Sequence, residues 1–111
     1  MTAGLKAPTN SARERRALNA PEVVTHLSKL DGWRLTGDGA EVAIEKTWDF
    51  ADFHQTMAFA NAVAFIAHRQ DHHPQLVVRY GRCVVRFNTH DVGGLSPRDF
   101  ECAALVDALL A

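Results

Sequence analysis

The chain has 111 residues, of which 47% are hydrophobic and 23% are charged, and this composition fits one globular domain. Its formal net charge of -1 excludes a general electrostatic attraction to nucleic acids or anionic membranes. The basic cluster Arg13 to Arg16 includes Glu14, and we interpret it as the solvated face of a helix. We therefore expect neither a nucleic-acid partner nor a membrane partner.

The cysteines and the N-terminal sequence indicate a reducing compartment. Cys83 and Cys102 form no zinc motif, and two thiols do not define a secreted disulfide scaffold. The first residues lack the apolar run of a signal peptide, and no segment reaches the roughly 20 apolar residues that span a bilayer. These features predict a soluble protein of the cytoplasm.

The first half of the chain predicts a tail, a helix and a hairpin. Residues 1–10 are expected to be a flexible tail, and residues 11–111 are expected to form a single domain. Ser11 is a possible cap of a helix that Pro21 kinks or divides in two. Residues 33–48 then contain two strand-like runs on either side of a glycine-containing turn, which is typical of a hairpin.

The second half repeats this pattern. Asp49 and Asp52 are predicted to form the N-terminal cap pair of a long central helix that Pro74 ends. The apolar residues of this helix cover so much of its circumference that we expect self-association. Two strand-like runs follow, joined by a predicted type II′ turn at Gly81–Arg82. Ser96 and Asp99 form the capping pattern of a last helix.

The order of the predicted elements is α-β-β-α-β-β-α. Consecutive strands joined by short turns favour antiparallel pairing, and helices with an apolar face must be buried against the sheet. The sequence thus predicts an α+β domain in which helices pack over one face of an antiparallel sheet.

Four of the six histidines lie within residues 68–91. His68 and His72 are four residues apart, so we expect their rings on one face in the last turn of the central helix. His73 precedes a proline and is expected to point away from His72, whereas His90 lies on the polar side of a strand. Imidazoles titrate near pH 6.5, so rings that converge on one pocket can donate and accept protons at neutral pH.

Two other interpretations of the histidines remain open at this point. The spacing of His68 and His72 is a ligand spacing on a helix, with His90 as a third ligand of a zinc ion. No glutamate follows His68 as it does in the metalloprotease motif. Alternatively, the histidines are surface residues or residues that interact favourably with a helix C-terminus.

The combination of several short motifs resembles the pterin-4a-carbinolamine dehydratases. These motifs are Asp71-His72-His73-Pro74, Tyr80, Thr89-His90, Gly94-Leu95-Ser96 and Arg98-Asp99, together with Leu30-Asp31-Gly32-Trp33 and the segment 49–53. The resemblance extends from about Arg15 to the C-terminus, and the short turns and compact length are similar to the bacterial branch.

The resemblance implies a four-stranded antiparallel sheet with three helices on one face, assembled as a homodimer or homotetramer. It implies dehydration of 4a-hydroxytetrahydrobiopterin to quinonoid dihydropterin without a metal or organic cofactor. That reaction lets the pterin be reduced and reused by aromatic amino-acid hydroxylases. Since some animal relatives are dimerisation cofactors of a transcription factor, a catalytically weak coactivator module is the alternative.

The resemblance also implies roles for individual residues. His72 and His90 would be the acid–base pair, and His73 would bind and orient the pterin, with a share in proton transfer. His68 stands where the family often has an acidic residue, which makes it a candidate supporting residue with Asp99, although Asp99 is also explained as a helix cap. The residues implied to bind substrate are Asp71, His72, His73, Asn88, Thr89, His90 and Asp91.

Overall fold

The structure, a computed structural model, describes residues 16–111. It contains helix α1 (Ala20–Leu27), strands β1 (Arg34–Thr36) and β2 (Ala43–Asp49), helix α2 (Phe53–Gln70), strands β3 (Gln75–Arg79) and β4 (Arg82–Phe87), and helix α3 (Pro97–Asp107). Short 3-10 turns cover Gly39–Glu41, His90–Val92 and Ala108–Leu110. The predicted α+β class and element order are confirmed. The predicted tail at residues 1–10 lies outside the described residues.

The four strands form one antiparallel sheet in the order β1-β2-β4-β3. Alternate residues on one face of the sheet are fully buried, including Ile44, Val85 and Phe87. They form one core with residues of all three helices, among them Val23 and Val63. The opposite, outer face carries charged side chains.

Helix α1 corresponds to the second part of the helix that the sequence predicts, and it begins at Ala20 with Pro21 in its first turn. Asn19 caps the helix. Its side-chain Oδ1 accepts a hydrogen bond from the backbone N–H of Glu22, and the Glu22 carboxylate accepts one from the backbone N–H of Asn19, both at 2.9 Å. Pro21 lies in the first turn, where a missing N–H costs no helical hydrogen bond. The Arg16 side chain, followed by the Asn19 amide, lowers the pKa of Glu22 to about 2. The proposed cap Ser11 lies outside the described residues.

The hairpin between β3 and β4 also differs from the prediction. Its two-residue loop is Tyr80–Gly81 rather than Gly81–Arg82, and neither loop residue has the positive φ of a type II′ turn. Tertiary contacts explain the difference. The Phe50 amide donates to the Gly81 carbonyl at 2.8 Å, and the Thr56 hydroxyl donates to the Tyr80 carbonyl at 2.9 Å. The loop is therefore held against the start of α2.

The predicted cap of α3 is confirmed, whereas only Asp52 of the predicted Asp49–Asp52 pair caps α2, because Asp49 is the last residue of β2 and its carboxylate accepts from Nε of Arg82 at 2.8 Å. Asp52 accepts from the Gln55 amide at 2.8 Å at the start of α2, and Ser96 and Asp99 form a capping box at the start of α3. Helix α2 buries one face in the core but leaves Phe53 and Phe65 about half exposed, at 49% and 60%. No helix within residues 16–111 is long and apolar enough to cross a membrane.

Candidate functional site

The end of α2 separates the two adjacent histidines from the helix. Asp71 adopts the left-handed conformation, with φ 52° and ψ 43°, and terminates the helix after Gln70. His72 therefore lies in the segment that leads into β3, so the prediction that it shares a face of the last helical turn with His68 is wrong. His68 is exposed on α2, and in the described part of the chain no hydrogen bond or ring contact joins its side chain to another residue.

His72 is directed toward the inner side of the sheet. Its ring stacks on Phe87, with centroids 5.9 Å apart and an interplanar angle of 9°. Nε2 of His72 donates to Oδ1 of Asp99 at 2.6 Å, and the His72 side chain is only 12% exposed. With Nε2 bonded to a carboxylate, Nδ1 is the ring position that remains for accepting a proton.

Asp99 is fully buried and has three donors. Besides His72, the Thr89 hydroxyl donates to Asp99 Oδ2 at 2.7 Å, and the Ser96 amide donates to the same oxygen at 2.9 Å. These hydrogen bonds compensate for the loss of water around a buried carboxylate. Asp99 thus combines two functions that the sequence presented as alternatives: it caps α3 and it holds His72.

His73 lies on the other side of the sheet, as its position before Pro74 predicts. It lines a cavity of about 320 Å³, a volume at the lower end of small-molecule sites. The cavity is lined by Glu41, His73, Pro74, Gln75, Arg86, Asn88 and His90. The structure therefore brings His73 and His90 to one cavity. His72 is not among the residues that line it.

The remaining predicted site residues surround this arrangement. Thr89 is buried and bonded to Asp99, whereas Asp91 is exposed in the 3-10 turn that begins at His90. Asn88 lines the cavity, and Asp71 forms the turn between α2 and His72. Two of the predicted substrate-binding residues, Asp71 and Thr89, thus have structural functions in the backbone turn and the buried cluster.

Three residues of the cavity wall, Glu41, Gln75 and Arg86, were not selected from the sequence. Arg86 had a usable signal, because it alternates along β4 with the buried Val85 and Phe87 and so shares the face of Asn88. Glu41 had none, since it lies in a 3-10 turn where no strand periodicity applies. It reaches the cavity through the tertiary contacts of that turn.

The zinc interpretation requires three ligands at one point. In the described part of the chain, no three His, Cys, Asp or Glu side chains lie close enough together to hold a metal ion. His72 is bonded to Asp99, His90 lines the outer cavity, and His68 is exposed on α2. The three proposed ligands therefore form no common site.

Comparison with known proteins shows the family of this chain. The family model for pterin 4 alpha carbinolamine dehydratase matches residues 16–109. The chain belongs to the pterin-4-alpha-carbinolamine dehydratase family. A protein of Paracidovorax citrulli is 64% identical over 101 residues, which cover 91% of this chain and 87% of that protein. A protein of Bdellovibrio bacteriovorus is 50% identical over 98 residues, covering 85% and 78%. Both names give the dehydratase activity as provisional.

Two solved structures are similar in fold to this member of the dehydratase family. The transcriptional coactivator/pterin dehydratase from Brucella melitensis has a TM-score of 0.79 and 29% identity, covering 86% of this chain and 100% of that chain. A pterin dehydratase-like protein described as a RuBisCO assembly factor has a TM-score of 0.59 and 25% identity, covering 70% and 88%. The fold therefore occurs in proteins with different described functions.

Proposed function

We propose that the protein is a hydro-lyase that removes water from 4a-hydroxytetrahydrobiopterin, or a closely related reduced pterin, to give quinonoid dihydropterin. The 4a-hydroxyl takes a proton and leaves as water, while N5 loses its proton and forms a double bond to C4a. One proton is donated and one is accepted, so the reaction has no net proton change and needs only acid–base groups. Family membership supports the pterin substrate.

The observation that carries this proposal is that three histidines lie at the same end of the sheet, where β3 begins and β4 ends, with one on its inner side and two on its outer side. His73 and His90 line the same cavity, and His72, directly before His73, is held by a buried carboxylate. Such an arrangement combines an exposed ring, which exchanges protons freely with water, and a ring whose cation has a carboxylate partner.

We assign the steps on this basis. His90 donates the proton to the departing hydroxyl from the cavity. The pterin extends from the cavity past the end of the sheet, where Nδ1 of His72 accepts the N5 proton and Asp99 stabilises the resulting imidazolium. His73 orients the ring and has a share in proton transfer. Backbone groups of the segments 71–73 and 88–91 bind the pterin edges. His68 is the one predicted supporting residue for which the described contacts provide no connection to these steps.

The proposal extends to the context of the reaction. In the cytoplasm, the product would be reduced and reused by an aromatic amino-acid hydroxylase. The half-exposed Phe53 and Phe65 on α2, with Leu110 at 58% exposure, support assembly into a homodimer or homotetramer. Light scattering on the purified chain tests this part, because a monomer at micromolar concentration would contradict it.

The direct test follows the ultraviolet decay of freshly generated 4a-hydroxytetrahydropterin. Wild-type protein should accelerate the decay with and without a chelator, since neither a metal nor an organic cofactor is proposed. His72→Ala and His90→Ala should each slow turnover by roughly 10²–10⁴-fold, the usual contribution of an acid–base group. His54→Ala, which changes an exposed histidine on α2, is the matched control and should retain full activity. Unchanged rates in both site variants would contradict the mechanism.

A second candidate function is a coactivator or assembly module with weak dehydratase activity. The descriptions of the two similar structures favour it, because one names a coactivator and the other an assembly factor. The same kinetic experiment separates the candidates. A wild-type protein that leaves the decay rate unchanged, whether or not chelator is present, would favour the module.

A further inference from the structure

The cavity wall contains a carboxylate that the proposed dehydration steps do not use. Glu41 lines the cavity with His73 and His90, and its side chain is exposed. Within residues 16–111, its carboxylate has no hydrogen-bond or ion-pair partner. A charged acceptor that faces a small-molecule cavity without a protein partner remains available to a ligand.

The backbone at Glu41 is fixed by side chains of β4. Nη2 of Arg86 donates to the Glu41 carbonyl at 2.9 Å, and Nδ2 of Asn88 donates to the Val42 carbonyl at 2.6 Å and to the Ala40 carbonyl at 3.4 Å. Both anchoring side chains also line the cavity. The 3-10 turn is therefore attached to the cavity wall on both sides of Glu41.

Gly37 makes this attachment possible. Its φ is +77°, and a Cβ at this position would lie 2.3 Å from the Glu41 carbonyl oxygen, closer than any side chain permits. The chain thus returns tightly from β1 and places residue 41 at the cavity rather than in open solvent. The position of Glu41 results from a defined turn.

Arg86 and Asn88 form no hydrogen bond with the carboxylate of Glu41. Arg86 directs its guanidinium to the Glu41 carbonyl, to the Thr36 hydroxyl and to Glu45, whose carboxylate lies 3.6 Å away. The Asn88 amide uses its NH₂ group for backbone carbonyls, so its Oδ1 also remains an acceptor. The wall accordingly offers acceptors to a ligand that presents adjacent N–H donors.

We propose that Glu41 is a specificity-determining residue that recognises the 2-amino and N3–H edge of the pterin. These two parallel donors match the two oxygens of a carboxylate, as a guanidinium does. Arg86 and Asn88 are positioning residues that hold Glu41 in place. The inference rests on the proposed function, because it presupposes that the cavity binds a reduced pterin.

The test measures discrimination rather than activity alone. Equilibrium binding is determined for a stable 7,8-dihydropterin and for the matching analogue without the 2-amino group, with wild type, Glu41→Gln and Asp38→Asn. Asp38 is an exposed carboxylate of the same turn that does not line the cavity, so its substitution removes the same charge without the proposed contact.

Wild type and Asp38→Asn should bind the dihydropterin with a Kd about tenfold lower than that of the analogue without the 2-amino group. A tenfold ratio corresponds to the lower end of the free energies of charged hydrogen bonds, which we expect because Glu41 is exposed. Glu41→Gln should bind the dihydropterin about tenfold more weakly and lose most of this preference. Equal weakening of both ligands, or no weakening, would overturn the role of Glu41 even if the wild type is an active dehydratase. A wild type that binds neither ligand would overturn the proposed function together with this inference.

Discussion

His72 and His73 are neighbours in sequence but belong to two different regions of the molecule. His72 is 12% exposed, stacks on Phe87 and is bonded to the buried Asp99. His73 is exposed and lines the outer cavity with His90. The left-handed Asp71 ends the helix, and the extended backbone that follows sends successive side chains to opposite sides.

The difference between the two regions is one of constraint. On the buried side, a carboxylate with three donors fixes one imidazole, so a change there should affect folding and chemistry together. On the cavity side, the side chains are solvated, so a change there should affect ligand binding and chemistry with little effect on folding. Variants on the two sides therefore test the comparison directly.

The largest effect is expected for Asp99→Ala. The substitution leaves the Thr89 hydroxyl, the Ser96 amide and the His72 ring without their shared acceptor in a buried position. We expect the free energy of unfolding to fall by about 3–5 kcal/mol, as when one partner of a buried pair is removed. Urea denaturation followed by circular dichroism measures the loss.

Asp99→Asn is the control for this variant, because it keeps the volume and one acceptor oxygen while it removes the charge. It should lose less stability than Asp99→Ala. A loss below about 1 kcal/mol in the alanine variant would mean that the buried hydrogen bonds do not constrain this side of the sheet.

The next largest effect is the difference in stability between variants of His72 and His73. His72→Ala removes the stacked ring and one donor to Asp99, so we expect about 2–3 kcal/mol of destabilisation. His73→Ala should change stability by less than about 0.5 kcal/mol, since its side chain is exposed. Thermal unfolding of both variants in one buffer gives the comparison, and equal losses would remove the distinction between the regions.

Local signals in the sequence predicted the elements, whereas the site required tertiary information. The cap at Ser96 follows from side chains within three residues and is confirmed. At α2 the same local pattern predicted Asp49 together with Asp52, and only Asp52 caps the helix, because Asp49 belongs to β2. The hairpin loop was predicted one residue too late because Phe50 and Thr56 hold the Tyr80–Gly81 carbonyls. No local pattern contains such contacts.

The histidines show the same limit. Their concentration within residues 68–91 indicated a site, and the proline after His73 indicated its direction. The helical spacing of His68 and His72 was misleading, because one residue with positive φ, Asp71, ends the helix between them. The contact of His72 with Asp99 spans 27 positions, so it depends on how α3 packs against the end of α2.

The smallest effect concerns the thiol of Cys102, which lies on α3 one turn after Asp99 and is 1% exposed. Burial raises the pKa of Cys102 from 9.0 to about 12 and also raises the pKa of Cys83. The neutral thiol is favoured in the folded state. Its contribution to stability is therefore complete below about pH 9 and is lost as the pH rises toward 12.

At pH 8, an aromatic disulfide reagent should react with the two buried thiols of folded wild type only as fast as the protein unfolds locally and exposes them. In urea, both thiols should react immediately. Absorbance of the released aromatic thiolate gives the rate. His73→Ala should react as slowly as wild type, because the cavity side does not cover α3, whereas His72→Ala should react faster because the buried side opens more often. If the thiols reacted equally faster in both variants, the two histidines would stabilise one structural unit. The distinction between a fixed His72 and a solvated His73 would then be wrong.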